Sequence, residues 1–481
     1  MVKASNRQDL RDEYDVIIVG GGPAGIFAAL ELHQHGVRDV LLAEKGRDLE
    51  HRVCPSRDQG VPCRRCHMCS QVTGWGGAGA FSDGKLTLSA DVGGRLKEYL
   101  GLAKANELVQ YVDQIYVKFG APRRVYGTGE EVESLQRRAS AADLRLIPVP
   151  IRHMGSEHCV EVLRGMYGAL SEVIDVRTNL PVVDVLLKGR TVEGARLADG
   201  RVIRCRYLIL APGRDGSSWL TKLARSLGLT LHNNPVDLGV RVEVPAPIME
   251  ELSSTLYESK LEFYSQRFDD RVRTFCMCPA GEITTERTGE DDPVLTVNGH
   301  SYAERKTENT NFALLVSTDF TEPFHEPIAY GKYIARLANI LSGGVIVQRL
   351  GDLWQGRRST PTRIDRGIVK PTLKTATPGD LSFVFPYRYL TDILEMLTAM
   401  DKLAPGVASR HTLLYGVEAK FYSSRLQLNE DMETEIRNMF AAGDGAGVTR
   451  GLIQASASGV VAARSILSRC GVRLSCQIAN D

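Results

Sequence analysis

No apolar run in these 481 residues approaches the ~20 needed to cross a bilayer, so no membrane-spanning helix is expected. Neither charge sign is in excess. The 59 Lys and Arg face 58 Asp and Glu, for a net charge of +1, which leaves no field to favour nucleic acid or an anionic membrane as a partner. Ten cysteines are too few for a disulfide scaffold in a chain of this length, and four of them cluster, a pattern that favours a metal or redox site. The stretch from Met1 to Asp12 is polar and lacks the apolar core of a secretion signal, which points to a cytoplasmic location. There is no internal repeat and no low-complexity tract. What is there is ordinary globular composition, 43% hydrophobic and 24% charged, with length enough for two or three domains and a large core.

The chain is organised around residues 14 to 25. Tyr14 and Val16 to Val19 read as a buried parallel strand. It runs directly into Gly20-Gly21-Gly22-Pro23-Ala24-Gly25, a G-x-G-x-x-G, followed by an Ala-rich helix from Ile26 to His35. Gly20 permits the tight turn, Gly22 lets backbone approach a pyrophosphate, and Gly25 lets the helix pack on the strand. The helix N-terminus, with its unpaired N–H groups, favours the phosphates. A second strand, Asp39 to Ala43, ends at Glu44, about twenty residues beyond the fingerprint, where an acid holds ribose hydroxyls. Strand, glycines, helix, strand and acid in this order imply dinucleotide binding.

Further on, Gly74 to Leu86 is too rich in glycine for a regular element. Trp75 and Phe81 are unlike a linker, so backbone lying against a planar or phosphorylated group is expected. Helices are expected from Arg95 to Gly120 and from Glu157 to Val173. Short runs at Asp175–Arg177, Val182–Leu187, Val192–Leu197 and Val202–Leu210 suggest an antiparallel meander. It ends at the turn from Ala211 to Gly216, a second edge of the nucleotide site. From Asn234 to about Arg410 strand-like runs at 238–244, 272–277, 311–317, 345–350 and 381–385 mix with helices near 328–341 and 389–399. Gly443-Asp444 and the small-residue helix from Leu452 to Leu467 then form another backbone-approach signature, so the end of the chain must return to its beginning. The expected fold is α/β. A Rossmann-like nucleotide domain is built from 1–90, 156–233 and 411–481, with a helical insertion at 91–155 and an α+β mixed-sheet substrate domain at 234–410.

The three glycine-bearing segments together resemble the FAD-binding pattern of the flavoprotein group that includes p-hydroxybenzoate hydroxylase and geranylgeranyl reductase. The segments Gly74–Leu86, Val297–Tyr302 and Gly451–Gly459 are similar, more narrowly, to the family of uncharacterised FAD-dependent, or NAD(FAD)-utilising, dehydrogenases. The resemblance implies FAD as cofactor. Gly20, Gly22, Pro23, Ala24 and Gly25 would hold the pyrophosphate, and Glu44 with Lys45 the adenosine ribose. Gly443 and Asp444 would hold the ribitol. Gly76, Gly77, Ala78 and Ser82 would pass beside the isoalloxazine, with Ala211 and Gly213 at the second edge. The helix from Gly451, through Gln454 and Ala455, would aim its N-terminus at the flavin N1–C2 edge and stabilise the anionic reduced ring. No second G-x-G-x-x-G provides a dedicated NAD(P)H domain, so electrons come from transient NAD(P)H, a donor protein or the substrate.

Cys54, Cys63, Cys66 and Cys69 give a C-P-x₇-C-x₂-C-x₂-C pattern. Three readings remain open: a 4Fe–4S cluster, by its ferredoxin-like spacing; a Cys₄ zinc site; and free thiols or a local disulfide, activated by Arg64 and Arg65. Candidate catalytic residues are Asp83 and Lys85 in the glycine-rich loop and His300 in polar sequence beside Tyr302 and Arg305. Cys276 and Cys278 join them, on a strand whose alternation turns both thiols to one side. They line the substrate cavity as acid or redox pair, or are small buried hydrophobes. The expected function is hydride transfer between flavin N5 and a small organic substrate, by a dehydrogenase or double-bond reductase. The alternatives are an FAD monooxygenase, an electron-transfer or redox partner protein, and an RNA-modifying flavoprotein.

Overall fold

The computed structural model describes residues 10–55, 57, 64, 66–232, 236–288, 293–301, 306–318, 326–420 and 424–472. Two sheets organise it. In the first, strand Glu13–Val19 runs at the centre, parallel to Val40–Ala43 on one side and Val202–Leu210 on the other, which buries its apolar end, Val16 to Val19. Asp175–Arg177 adds one parallel strand outside Val40–Ala43, and Met439–Ala441 adds another beside Val202–Leu210. Strand Val202–Leu210 serves two pairings. Its first residues complete the expected antiparallel meander with Thr191–Leu197 and Val182–Lys188, while Leu208 to Leu210 pair with Met439–Ala441. The two ends of the chain thus meet in one parallel sheet, as the glycine motifs required.

Close packing explains two glycines. A Cβ on Gly25 would lie 2.0 Å from the Gly20 carbonyl oxygen, and one on Gly459 would lie 2.0 Å from that of Ala24. The first lets helix Pro23–Gln34 sit on its strand; the second lets helix Leu452–Arg469 lie against helix Pro23–Gln34.

The second sheet has eight strands in the order Thr377–Pro378, Ile346–Arg349, Leu413–Lys420, Val236–Pro245, Asn309–Thr318, Arg271–Cys278, Lys260–Tyr264 and Arg145–Ile147. Alternation sorts its two faces. Leu238, Val240, Val242 and Val244 join Phe312, Leu314 and Val316 in an apolar core with helices Pro327–Ser342 and Tyr387–Leu403. The intervening positions carry Arg241, Glu243 and Asn311, which are buried all the same. Over Arg241 lies the hairpin Glu282–Thr288/Val294–His300, where a Cβ on Gly299 would strike the guanidinium.

The structure differs from expectation in three places. Residues 381–385 are not a strand: the Asp380 carboxylate accepts from the Ser382 N–H and starts the 3-10 turn Leu381–Phe383 instead. The helix expected over 95–120 is two, Leu96–Leu100 and Leu102–Lys118, broken at Gly101 with φ of 77°. The mixed sheet also reaches beyond 234–410, because Leu413–Lys420 fills a central position that needs an apolar strand, and Arg145–Ile147, from the expected helical insertion, caps its edge. Among the described residues no helix is long and apolar enough to cross a membrane.

Gly459→Leu should lower unfolding stability by about 1–3 kcal/mol through overpacking against backbone. Gly168→Ala, on an exposed helix position with nothing within 4 Å of the new Cβ, should raise it by about 0.5–1 kcal/mol. Urea midpoints of the two variants test both.

Candidate functional site

The carboxylate of Glu44 joins three loops. Its Oε2 accepts from the Gly21 N–H at 2.7 Å, and its Oε1 from Gly46 at 2.8 Å and Gly74 at 3.1 Å. The Gly76 N–H adds a bond of 2.7 Å to the Gly21 carbonyl. Glycine fingerprint, second strand and glycine-rich loop are thereby locked side by side at the carboxyl ends of the parallel strands, where doubly wound sheets bind nucleotides. A carboxylate offers about four acceptor positions, and Glu44, which also borders the cavity, has one remaining for a ribose hydroxyl.

Arg52 holds the far side of the glycine-rich loop. Wholly buried, it donates to the carbonyls of Ser70 at 2.9 Å, Gln71 at 3.0 Å and Trp75 at 2.6 Å. Trp75 is buried too, its indole N–H on the Leu163 carbonyl at 3.0 Å. The loop is fixed, not a linker.

One cavity of about 1400 Å³ runs along this cradle. Gly20, Gly22, Pro23, Ala24, Glu44 and Lys45 border it, as do Gly77, Ala78 and Ser82. So do Ala211, Gly213, Gly443, Asp444, Gly451 and Ala455. Lys45 pairs with Asp215 at 2.6 Å. Asp444 accepts from the Thr449 hydroxyl at 2.7 Å, and burial pushes its pKa up. A dinucleotide fits these residues. A Cβ on Gly22 would meet nothing nearer than Gly77 Cα at 4.0 Å, so bare backbone and the start of helix Pro23–Gln34 face the cavity together, as a pyrophosphate requires.

Three expected cofactor contacts are corrected. Gly25 and Gly76 do not border the cavity: Gly25 is spent on helix packing, and a Cβ on Gly76 would strike Leu163. Gln454 is a buried tie. Its amide donates to the carbonyls of Ala90 at 3.1 Å and Val92 at 2.9 Å, and its oxygen accepts from the Leu96 N–H at 3.3 Å.

The same cavity continues to a cluster of ionisable groups. Strand Lys85–Thr87 carries Lys85, whose ammonium lies 2.8 Å from Asp83 and 3.3 Å from Glu258 and also donates to the Met277 carbonyl. Burial opposes its charge, but Asp83 and Glu258 outweigh burial and hold it protonated. Glu258 accepts from Lys260 at 2.7 Å; against its burial, Lys260 and Lys85 bring its pKa down to about 2. Burial lowers the pKa of His300, which borders the cavity. Tyr257 donates to or accepts from His153 Nε2 at 2.6 Å, and the two rings stack with centroids 4.1 Å apart.

Cys276 and Cys278 do come together, but not by alternation. The pairing of strand Arg271–Cys278 with Asn309–Thr318 shifts between Phe275 and Cys278, and Cys276 takes a left-handed φ of 47°. This bulge turns half-buried Cys276 to the cavity and leaves Cys278 wholly buried behind it. Arg241 fixes both, its Nη2 donating to the Cys276 carbonyl at 2.6 Å and to Cys278 Sγ at 3.3 Å. The Cys278 hydrogen bond, then Lys85 and Arg241, bring Cys276 down to about 6 against its burial, and Cys278 is pushed up.

Of the expected metal ligands, Cys54 and Cys69 border the cavity, Cys66 is exposed, and Cys63 lies outside the described residues, as do Tyr302 and Arg305. Among the described residues the one group of three or more His, Cys, Asp or Glu with ligand atoms within 4.8 Å of one another is Asp83, Cys276 and Cys278. There the positive charge is already supplied by Lys85. The sequence reading missed Arg241, Glu258 and Glu418. The signal was present at Arg241: with Asp237 and Glu243 it alternates with the apolar residues of one buried strand, which holds a cation only with partners.

Glu44→Ala should leave three buried N–H groups without their acceptor, at about 1–3 kcal/mol each, and weaken flavin retention, read by denaturation and by absorbance after gel filtration. Alkylation of Cys276 by iodoacetamide should climb with pH through about 6 and be level by neutrality, because the thiolate is the nucleophile; peptide mapping across a pH series reads it.

Comparison with known proteins agrees with the cradle. Residues 13–64 match the FAD binding domain family, and residues 235–421 match the family described as FAD-dependent protein, C-terminal domain-like. An uncharacterized protein of Clostridium beijerinckii is 28% identical over 94% of this chain and 80% of its own length. A Baeyer-Villiger monooxygenase of Streptomyces coelicolor is 40% identical over 12% of this chain and 10% of its own. The structure of glycine oxidase from Geobacillus kaustophilus has a TM-score of 0.40 at 13% identity, covering 98% of this chain and 100% of that one. The first matched segment carries the glycine fingerprint and Glu44 of the cradle, and the second carries most of the eight-stranded sheet; both families are described by their dependence on FAD.

Proposed function

We propose that this FAD-dependent oxidoreductase moves an electron pair, as hydride, between its flavin and a small organic substrate bound at the Asp83–Lys85–Cys276–His300 end of the cavity. The observation that carries this reading is that a single cavity borders both the dinucleotide cradle and that cluster. Bound FAD supplies the two-electron chemistry. The chain supplies placement and charge. Lys85, held protonated by Asp83 and Glu258, sets a fixed positive charge beside the substrate end of the cavity. A fixed charge of this kind needs no reorganisation as charge develops on the substrate. Cys276 at the cavity can hold or release a proton near neutrality, while burial favours the neutral form of His300 beside it.

The test is anaerobic flavin bleaching by a panel of small alcohols, amines and, for the reduced protein, activated alkenes. Turnover with an artificial acceptor in the absence of oxygen supports the proposal. NAD(P)H consumption that needs both oxygen and substrate would replace it with a monooxygenase. Lys85→Met should keep the flavin yet slow bleaching by about 10²-fold, measured by stopped flow; an unchanged rate contradicts the role given to Lys85.

A further inference from the structure

Orienting a substrate requires neither two cysteines nor a wholly buried arginine behind them. We propose that Cys276 and Cys278 are a redox-active dithiol that exchanges an electron pair with the bound FAD. The proposal rests on the functional reading above and adds a substrate class to it, a small thiol or disulfide compound that reaches Cys276 through the cavity.

Geometry supports it in three ways. A regular strand holds residues two apart too far from one another for a disulfide, but the bulge at Cys276 folds the chain back, and the two sulfurs lie within 4.8 Å. A disulfide closes that gap to about 2.05 Å. Second, the pair divides the work of a dithiol: Cys276 borders the cavity and is open to exchange, while Cys278 is wholly buried next to it, placed to resolve a mixed disulfide. Third, charge favours a thiolate. The linked ion pairs Lys260–Glu258–Lys85–Asp83 and Arg241–Glu418–Lys420 contain four cations and three carboxylates. Lys85 and Arg241 both favour the anionic form of Cys276, and Arg241 Nη2 also donates to Cys278 Sγ at 3.3 Å, holding the two thiols side by side.

The step balances. The Cys276 thiolate and the Cys278 thiol form one S–S bond, releasing two electrons and the Cys278 proton. FAD takes up two electrons and one proton. In reverse, reduced flavin reopens the disulfide. A disulfide substrate is reduced by attack of the Cys276 thiolate, with loss of its first half as a thiolate; Cys278 then gives up its proton and attacks Cys276 Sγ, releasing the second half as a thiolate, and reduced flavin reopens the Cys276–Cys278 disulfide.

Holoprotein is mixed anaerobically with dithiothreitol. The wild type should bleach its flavin faster than Cys276→Ser or Cys278→Ser by about tenfold or more, with all three holding equal flavin beforehand. Oxidation of the wild type by ferricyanide should yield a peptide linked Cys276–Cys278, two hydrogens lighter than the reduced form. Equal bleaching rates in the three proteins, absence of the linked peptide, or one equivalent of zinc held by these thiols would each overturn the dithiol. A preparation that binds no flavin at all contradicts the functional reading instead, and the linked peptide then still reports on the thiols separately.

Discussion

Glu44 is the point on which the site depends. Its carboxylate accepts from the N–H groups of Gly21, Gly46 and Gly74, three stretches of backbone that have no ladder partner of their own there. Hydrogen bonds to a charged acceptor contribute about 1.5–3 kcal/mol each, enough together to order loops made of glycine. Without it the glycine-rich loop has the maximal freedom of residues lacking Cβ, and the wall of the nucleotide site is lost. One acid at the end of a strand thus does two things: it shapes the cradle and keeps an acceptor facing the cavity.

The second sheet contributes by inverting the usual rule for a strand buried on both faces. One face of Val236–Pro245 is apolar and makes the core; the other carries Arg241 and Glu243 into the interior. A buried guanidinium is tolerated because Glu418, Asn311, the Cys276 carbonyl and Cys278 Sγ surround it. Isolated, such a charge would cost far more than the sheet could offset. Its purpose lies in the bulge it holds, which re-aims Cys276 toward the cavity.

Much of this was legible in the sequence. The parallel strands, the return of the chain's end and the glycine loops followed from local patterns that packing reinforces, and Glu44 was identified by spacing. What was not legible depended on contacts distant in sequence. Gln454 sits in a cofactor-like motif, yet its amide is consumed by Ala90, Val92 and Leu96. Cys276 and Cys278 converge through a register shift that alternation cannot reveal. Glu258 follows a Tyr257 of left-handed φ in a segment with no periodic signal, and only the fold brings it to Lys85.

The central claim is that cofactor cradle and ionisable cluster face one another across a single cavity. A crystal structure of the FAD complex measures this directly. The account predicts the pyrophosphate at Gly22 and the start of helix Pro23–Gln34, with the ring system between the Gly77–Ser82 loop and Gly451, its edge toward Lys85 and Cys276. A ring system pointing away from that cluster, or FAD bound outside the cavity, would contradict it.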